Sequence, residues 1–577
     1  MRIKYSCPDL FKFHLVLICL LSQNIVMGQT ADISKEKAFR LSGGISLRSL
    51  YYSATGIEPR NPRTAFVATG NLSPEIYGIQ LPVSFSYSAG GSASYSQPFN
   101  MFGISPRYKW VTLHAGYRQL NYQPYTLNGH TINGLGAELT PGKFFLSVMK
   151  GKLNRATTID TISQDLVDAS YTRKGIAGKI GYGDENKFVY LSFLRAMDDS
   201  TTLLIDKTKY NQNLNPNLFA AQNVVGGIGF KYTFLKKLTL ESDFALDVYT
   251  RDAQSPLAIE DPANQKLLKL LNKVIYINGT SEYGTAGKAA IGYKGKDYAL
   301  KVKYQRIDPN FKSMGTYFIA TDIENITVQP SFKLLKNKVR FNGSLGIQKD
   351  NLAKLKASTS KRWIGSANAG ADITKNLGVD VNFSNYFINQ RPGTTRFADT
   401  LRIFQSTYNL GITPRFIINT VDYTHLFLLS GQSSLLNDFN NSYQQGQQSR
   451  ELKSLNSFFS YQLRFNQSGT SVGSTINYTT LSNEFIKENN YGLTLNASKS
   501  LFQKKVFGSA TGSYLRSKRN GINGNIITGS LALQYAFLKS HSIGLNANYT
   551  NSEATDMTTG RPSFKEYRVE LSYNYKL

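Results

Sequence analysis

The last eleven residues of the chain alternate between apolar and polar side chains without interruption. The apolar positions are Tyr567, Val569, Leu571, Tyr573, Tyr575 and Leu577. Successive side chains of a β-strand point to opposite faces, so this pattern predicts a strand with one apolar and one polar face. At the end of an exported chain, such a strand is typical of the closing strand of a membrane barrel, with its apolar side against lipid.

The same alternation recurs along most of the chain, in pairs of segments joined by short polar turns. The turns are expected near residues 106–109, 141–143, 183–187, 236–237, 294–297, 336–338, 374–376, 414–415, 467–469, 503–505 and 539–540. Longer polar stretches separate the pairs, at residues 153–168, 198–221, 250–283, 308–324, 390–399, 430–450 and 553–563. This rhythm predicts hairpins connected alternately by short turns and long loops.

The hairpin count predicts the size of the sheet. Eleven turns predict about 22 strands between residues 98 and 552, and the C-terminal strand adds one. Further candidates at 39–53, 63–73 and 79–90 bring the total to about 26, or nearer 24 if part of 55–97 folds inward. The expected fold is therefore all-β: a single large antiparallel up-and-down transmembrane β-barrel of about 24–26 strands.

The N-terminus has the pattern of an export signal. Arg2, Lys4 and Lys12 precede an apolar run over residues 13–27, which predicts a removable secretory signal at 1–28. A lipoprotein signal at Cys19 is the alternative, but Ile18 stands where that site needs a small residue. We expect a periplasmic segment at 29–38 and the barrel at 39–577.

Composition is consistent with this division. Both cysteines, Cys7 and Cys19, fall within the predicted signal, so the expected mature chain has no disulfide. Its 35 Tyr and 34 Phe argue against a disordered chain. A soluble β-propeller is the main alternative fold, but its blades bury both sheet faces, whereas these segments keep one face polar.

These features together resemble the outer-membrane β-barrel proteins of Gram-negative bacteria, over residues 39–577. The resemblance rests on the signal, the hairpin rhythm and the closing strand. It implies short periplasmic turns, long extracellular loops, contact with outer-membrane lipid and insertion by the barrel-assembly machinery. Two features depart from the pattern: the last residue is Leu577 rather than an aromatic, and no N-terminal plug domain of TonB-dependent size is evident.

The formal net charge of +28 raises the question of where the excess basic residues lie in the predicted barrel. Many lysines, such as Lys109, Lys236, Lys336 and Lys504, lie in or beside the predicted short turns. They would form a cationic collar whose side chains reach lipid phosphates, or an electrostatic funnel that attracts anionic solutes or an acidic partner. Nucleic-acid binding is not expected, because these residues are scattered rather than arranged in a stripe with stacking aromatics.

Strand parity also predicts which charged residues face the lumen. They are Arg118, Lys231, Lys301, Lys303, Arg340, Arg464, Arg568, Glu241, Asp243, Asp380 and Glu570. Because both signs occur, cross-strand ion pairs are expected. No ring of a single sign, as in ion-selective filters, is visible in the sequence.

A barrel of this width needs something to fill or narrow it. Two segments are candidates, 55–97 and 250–283. In the second, Asp261 and Pro262 can begin a helix whose apolar stripe contains Leu267, Leu268, Leu271 and Val274. This helix could pack on the inner wall, bind a partner outside the barrel, or fail to form.

Few residues suggest chemistry. The histidines outside the signal, His114, His130, His425 and His541, have no metal-site spacing, and Gly226 to Gly229 lie within a strand pattern rather than before a helix. We therefore expect no enzyme activity, metal or cofactor. The predicted function is a pore or translocation conduit for a solute or polypeptide. The alternative is a non-conducting barrel that anchors or displays a surface or periplasmic protein partner.

Overall fold

The computed structural model describes residues 38–89, 100–156, 170–202, 219–257, 272–354, 361–390, 403–438, 451–554 and 563–577. The predicted signal and nearly all of the predicted segment 29–38 lie outside these ranges. No described helix has the length and apolar character that a membrane span requires.

The described residues form β-strands along the whole chain. The first fifteen are β1 (Phe39–Thr55), β2 (Thr64–Ile76), β3 (Ile79–Gln80), β4 (Val83–Ala89), β5 (Met101–Ile104), β6 (Arg107–Tyr108), β7 (Val111–Gln119), β8 (Leu127–Asn128), β9 (Thr131–Leu139), β10 (Phe144–Asn154), β11 (Thr172–Asp184), β12 (Lys187–Asp199), β13 (Gln222–Phe234), β14 (Leu238–Thr250) and β15 (Ser281–Lys294). The others are β16 (Tyr298–Ile307), β17 (Gly315–Thr316), β18 (Ile323–Leu334), β19 (Val339–Lys349), β20 (Lys361–Asp372), β21 (Leu377–Gln390), β22 (Ile403–Asn419), β23 (Tyr423–Asp438), β24 (Glu451–Phe465), β25 (Ser471–Ser482), β26 (Lys487–Leu501), β27 (Val506–Arg519), β28 (Ile522–Leu538), β29 (His541–Ala554) and β30 (Phe564–Lys576).

The long strands form one closed antiparallel barrel. Each pairs with the next along the chain, and β1 pairs with β30, with Ser46 opposite Asn574. Two-residue strands β3 and β6 extend the wall at turns, and β8 and β17 form a separate pair. The described residues thus contain 26 wall strands, which confirms the predicted fold and the upper end of the predicted range.

Parity separates the two faces as the alternation predicts. In β30, Tyr567 and Leu571 are 46% and 52% exposed, and their neighbours across the pairing on β29 are Tyr549 and Leu545. The other wall strands also carry exposed large apolar side chains on this face, such as Leu191 and Phe193 of β12 and Leu493 and Leu495 of β26. In a membrane barrel this apolar outer surface is the lipid-facing band.

The short turns occur where the sequence predicts them, with one exception. Leu235, Lys236, Leu335 and Lys336 have positive φ, the conformation that tight hairpin turns require. The predicted turn at 414–415 is wrong, because both residues lie inside β22 and the chain reverses after Asn419. Pro414 has no N–H to donate, and the β22–β23 pairing has a gap at this residue.

The expectation that 55–97 fills the lumen is also corrected. Within it, β2 pairs with β1 and β4, so residues 64–76 and 83–89 belong to the wall. An alternating segment whose backbone is paired on both sides has its hydrogen bonds satisfied there, as a membrane-spanning strand requires. Residues 90–97 lie outside the described ranges.

The predicted helix in 250–283 lies mostly outside the described ranges. Leu267, Leu268 and Leu271 are not described, so the helix stays a prediction. Val274 is described, and it lies in a turn with an exposed side chain. The contacts that narrow the lumen are made by other segments.

Candidate functional site: a lumen narrowed by two inward segments

Two connections on the long-loop side fold into the barrel. The first inward segment, residues 120–130, joins β7 to β9, and the second, residues 308–322, joins β16 to β18. They contact each other through the parallel pair β8–β17 and through Ser313, whose hydroxyl donates to the Thr126 carbonyl at 2.6 Å. Together they form one packed unit rather than two independent loops.

Apolar side chains explain why these segments leave the solvent. Leu127 and Phe311 are essentially fully buried, and the Tyr125 ring meets Phe311 edge to face at 6.0 Å. Beneath them, the inner face of the wall is apolar instead of polar, at Met149, Ala177, Leu194, Val225, Ala245, Ala286 and Ile307. Burying a large apolar side chain contributes about 1.5 to 3 kcal/mol, so several together favour docking of the segments on the wall.

Polar contacts fix the position of the first segment. The Gln123 amide nitrogen donates to the carbonyls of Ile228 and Phe244, both at 3.0 Å, and the Ser192 hydroxyl donates to its amide oxygen at 3.2 Å. Gly227 makes this approach possible, because a Cβ there would lie 1.9 Å from the Gln123 oxygen. Gly227 is therefore a docking position for a segment of the same chain.

Asn223 of β13 holds the second segment in the same way. Its amide nitrogen donates to the carbonyls of Val248 at 3.1 Å and Lys312 at 3.2 Å, and its oxygen accepts from the Met314 N–H at 2.9 Å. The side chain is fully buried, so these bonds are shielded from water. Asn223 therefore provides hydrogen-bond partners for backbone groups of the second segment that would otherwise be buried without them.

A line of polar side chains connects the first segment to the periplasmic end of the wall. Ser105 Oγ lies 2.7 Å from His114 Nδ1, and His114 Nε2 lies 3.3 Å from Glu138. Ser147 donates to Glu138 at 3.1 Å and is hydrogen-bonded to the Tyr122 hydroxyl at 2.7 Å. Burial raises the pKa of Tyr122 to about 12, so its hydroxyl keeps its proton for this network.

The serine, histidine and glutamate of this network resemble the residue types of a hydrolytic triad. The Ser105 and His114 side chains are only 8% and 7% exposed, and the network continues into Ser147 and Tyr122 rather than opening to a cleft. The contacts therefore support a structural role in holding Tyr122. Among the described residues, no group of three or more His, Cys, Asp or Glu side chains is arranged to hold a metal ion.

At the outer end, the two segments border a cavity of about 540 Å³. His130 stacks on Tyr317 at 4.2 Å between ring centroids, and its Nδ1 donates to the Thr131 carbonyl at 3.0 Å. Burial lowers the pKa of His130, so the docked arrangement favours the neutral ring. The basic side chains at this cavity include Arg173, which is paired with Asp198 at 2.8 Å, and Lys312, which lies 3.5 Å from Glu282.

The charged residues predicted to face the lumen fall into separate groups. One group lies on β13, β14 and β16, within the four consecutive strands β13 to β16, and contains Lys231, Lys301, Lys303, Glu241 and Asp243. Lys301 pairs with Glu241, and Asp243 accepts from the Tyr190 hydroxyl and pairs with Lys288 at 3.0 Å. This group lies next to the apolar surface that receives the inward segments, on its periplasmic side.

The remaining predicted lumen residues are distributed around the barrel. Arg340 pairs with Asp372 at 2.9 Å, and Arg415 links Asp372 to Asp380. Arg568 pairs with Glu570 at 3.3 Å. Arg118 donates to Ser84 at 3.0 Å and to the Pro82 carbonyl at 3.3 Å. Arg464 makes no ion pair with any residue in the described ranges.

Sequence reasoning missed both inward segments. It assigned 308–324 to an external loop and gave no role to 120–130. The available signal was the inner face of β10 to β16, where parity places Met149, Leu194 and Val225 instead of polar residues. An apolar patch on a face that should be wet predicts a covering segment.

Comparison with known proteins assigns the chain to no family. No family model and no curated protein matches the chain. Similar solved structures include the translocation pore of the P pilus usher PapC, with 9% identity, a TM-score of 0.38, and coverage of 93% of this chain and 99% of that chain. Another is the FrpB iron transporter of Neisseria meningitidis, with 10% identity, a TM-score of 0.36, and coverage of 95% and 84%.

A third is BauA, the ferric preacinetobactin receptor of Acinetobacter baumannii, with 8% identity, a TM-score of 0.34, and coverage of 93% and 81%. These likenesses concern barrel architecture and extend to no individual residue. The closed barrel with an apolar outer surface has the architecture of outer-membrane β-barrel proteins, which confirms the predicted fold. An apolar outer surface of this kind implies a lipid environment for the barrel.

Proposed function

We propose that this protein is an outer-membrane pore or translocation conduit for a solute or polypeptide. The observation that supports this most directly is the one-sided position of the inward segments. Their apolar contacts involve strands between β9 and β18. Within the described ranges, the inner faces of β22 to β30 carry mainly Asn, Ser and Thr, such as Thr494, Asn546 and Asn548.

A polar inner face is typical of a lumen that holds water. The segments therefore narrow the barrel from one side and leave a polar route along the other. Anchoring alone needs only a small barrel, whereas 26 strands enclose a wide interior. We infer no catalytic role, because the Ser105–His114 contact is buried and serves the docking of Tyr122.

Two partners are part of this proposal. Insertion into the membrane would require the barrel-assembly machinery, and the export signal expected at 1–28 would deliver the chain to the periplasm. A periplasmic or surface protein partner would be needed only if the cargo is a polypeptide.

Planar-bilayer recording of the purified protein tests the proposal. We expect steady or gated conductance, absent from a mock preparation made from cells that lack the gene. A variant in which 309–321 is replaced by a short Gly-Ser linker should conduct more, because β16 and β18 remain while the obstruction is removed. A closed bilayer with both proteins would refute the conduit and favour the non-conducting anchor.

A further inference from the structure

The inner wall near the periplasmic end carries a concentration of lysines. The lysine cluster comprises Lys231, Lys237, Lys288, Lys294, Lys301 and Lys303. Four of them lie on β13, β15 and β16 with lumen-facing parity, and Lys294 ends β15. The Lys294 N–H donates to the Lys237 carbonyl at 2.8 Å, which holds the two rim lysines on neighbouring chain segments.

The cluster has more cations than its acids can neutralise. Glu241 and Asp243 lie among these lysines, and they pair with Lys301 and Lys288. The other four lysines, Lys231, Lys237, Lys294 and Lys303, form no ion pair with a described residue. Ordinary cross-strand pairing therefore explains only part of the arrangement, and an excess of positive charge remains directed at the lumen.

A cavity of about 460 Å³ gives this charge a concave shape. Four lysines line it, Lys231, Lys237, Lys294 and Lys301, together with Glu241 and Gln329. Its volume lies within the range of about 300 to 1,000 Å³ that is typical of small-molecule sites. After the Lys301–Glu241 pair is formed, three ammonium groups remain to face a ligand.

Ammonium groups bind phosphate and carboxylate oxygens through charge-assisted hydrogen bonds. Several converging ammonium groups repel one another, and an anion with more than one charge relieves that repulsion better than chloride does. The cavity faces the lumen, because its charged strand residues Lys231, Glu241 and Lys301 have inward parity. Its ligand is thus a dissolved anion rather than a lipid headgroup.

We propose that the lysine cluster is a binding site for solutes that carry two or more negative charges on phosphate or carboxylate groups. The proposal rests on the conduit function and specifies the class of its substrate. A multivalent anion would bind at the periplasmic end of the lumen, on the wall below the inward segments. Chloride would pass with weaker retention.

The test compares two triple variants with the same loss of charge. In the site variant, Lys231→Gln, Lys237→Gln and Lys294→Gln remove the three lysines that line the cavity without an ion pair to a described residue. In the control variant, Lys375→Gln, Lys504→Gln and Lys539→Gln remove lysines from other short turns. All six are polar, partly or fully exposed positions, so both variants should fold.

In bilayers under a KCl gradient, wild type and control should be anion-selective and should be blocked by added citrate or pyrophosphate. The site variant should lose selectivity and bind either probe at least about tenfold more weakly. Equal selectivity and equal block in all three proteins would overturn the inference while the conduit stands.

Calorimetry of citrate and pyrophosphate binding to the detergent-purified protein separates the two proposals. If no protein conducts, the conduit fails, yet binding that is lost only in the site variant still supports the site. Absence of binding by wild type at millimolar citrate and pyrophosphate would overturn the site, whatever the conductance.

Discussion

Docking of the first inward segment should require a residue without a side chain at position 227, which is Gly227. In Gly227→Ala the new Cβ would lie 1.9 Å from the Gln123 amide oxygen and 2.7 Å from its Cδ. The Gln123 side chain must therefore leave its position. Gly226 provides a matched control, because a Cβ on this adjacent residue of β13 meets nothing within 4 Å.

The expected magnitude follows from the bonds that are lost. Gln123 takes part in three hydrogen bonds with the wall, to Ile228, Phe244 and Ser192. At about 1 kcal/mol net for each bond, Gly227→Ala weakens docking by about 3 kcal/mol. Since about 1.4 kcal/mol corresponds to a factor of ten, the undocked population should rise roughly a hundredfold.

Hydrogen exchange followed by mass spectrometry measures this population. The Tyr122 and Gln123 amides donate to the Leu127 carbonyl within the segment, so opening of the segment exposes them. We expect roughly hundredfold faster exchange in peptides covering 120–130 of Gly227→Ala, with unchanged exchange in β22 to β30. An exchange rate of 120–130 in Gly227→Ala equal to that of wild type would refute the docking role of Gln123. The same increase in exchange rate in Gly226→Ala would refute it as well.

Three further predictions concern the same unit. Phe311→Ala removes a ring that is 1% exposed and should destabilise docking of the second segment by about 3 to 5 kcal/mol. Hydrogen exchange at 308–322 should therefore be faster than in wild type. Unchanged exchange there would show that Phe311 does not anchor the segment. Asn223→Ala leaves the Met314 N–H and the Lys312 carbonyl without their partner, which weakens docking of the second segment by about 1 to 3 kcal/mol. The variant should therefore conduct more than wild type in planar bilayers. Conductance equal to that of wild type would contradict the prediction. Because burial lowers the pKa of His130, docking is fully favoured above its ordinary pKa of about 6.5 and weakens as the pH falls below that value. Hydrogen exchange of residues 120–130, corrected for intrinsic rates, should be faster at pH 5 than at pH 7 in wild type. The control variant His130→Phe keeps a ring against Tyr317 and should show no such difference. An equal pH effect in both proteins would exclude His130 as the source of the pH dependence.

The wall could be predicted from the sequence because its information is local. A strand places Tyr298 and Leu300 on one face and Lys301 and Lys303 on the other, whatever its neighbours are, and the structure shows the same division. The turn after β22 is predicted too early, because proline is typical of turns and Pro414 lies inside the strand. A proline can lie in a strand where its missing N–H is not needed, and that depends on the partner strand.

The candidate site could not be predicted in the same way because its contacts are distant in sequence. The segments 120–130 and 308–322 are almost 190 residues apart, and neither has a periodic pattern. In the sequence, Gly227 has the pattern of an ordinary small residue in a strand. Its lack of a side chain makes room for Gln123 only in the folded protein. The sequence predicts that Lys231, Lys301 and Lys303 face the lumen, but the convergence of the cluster around one cavity requires the register of β13 to β16.

Closure of the barrel is the claim on which the lumen, the inward segments and the lysine cluster all depend. Ser46 of β1 faces Asn574 of β30, and directly opposed residues of an antiparallel pair lie close enough for a disulfide. The expected mature chain has no cysteine, so Ser46→Cys with Asn574→Cys gives an unambiguous signal.

In intact outer membranes, this pair should form a disulfide on mild oxidation, seen as a gel shift that reductant reverses. The pair Ser46→Cys with Ser513→Cys should not, because β27 lies four strands from β1, roughly 19 Å away. Failure of the first pair to cross-link, or equal cross-linking of both, would contradict a barrel closed by its first and last strands.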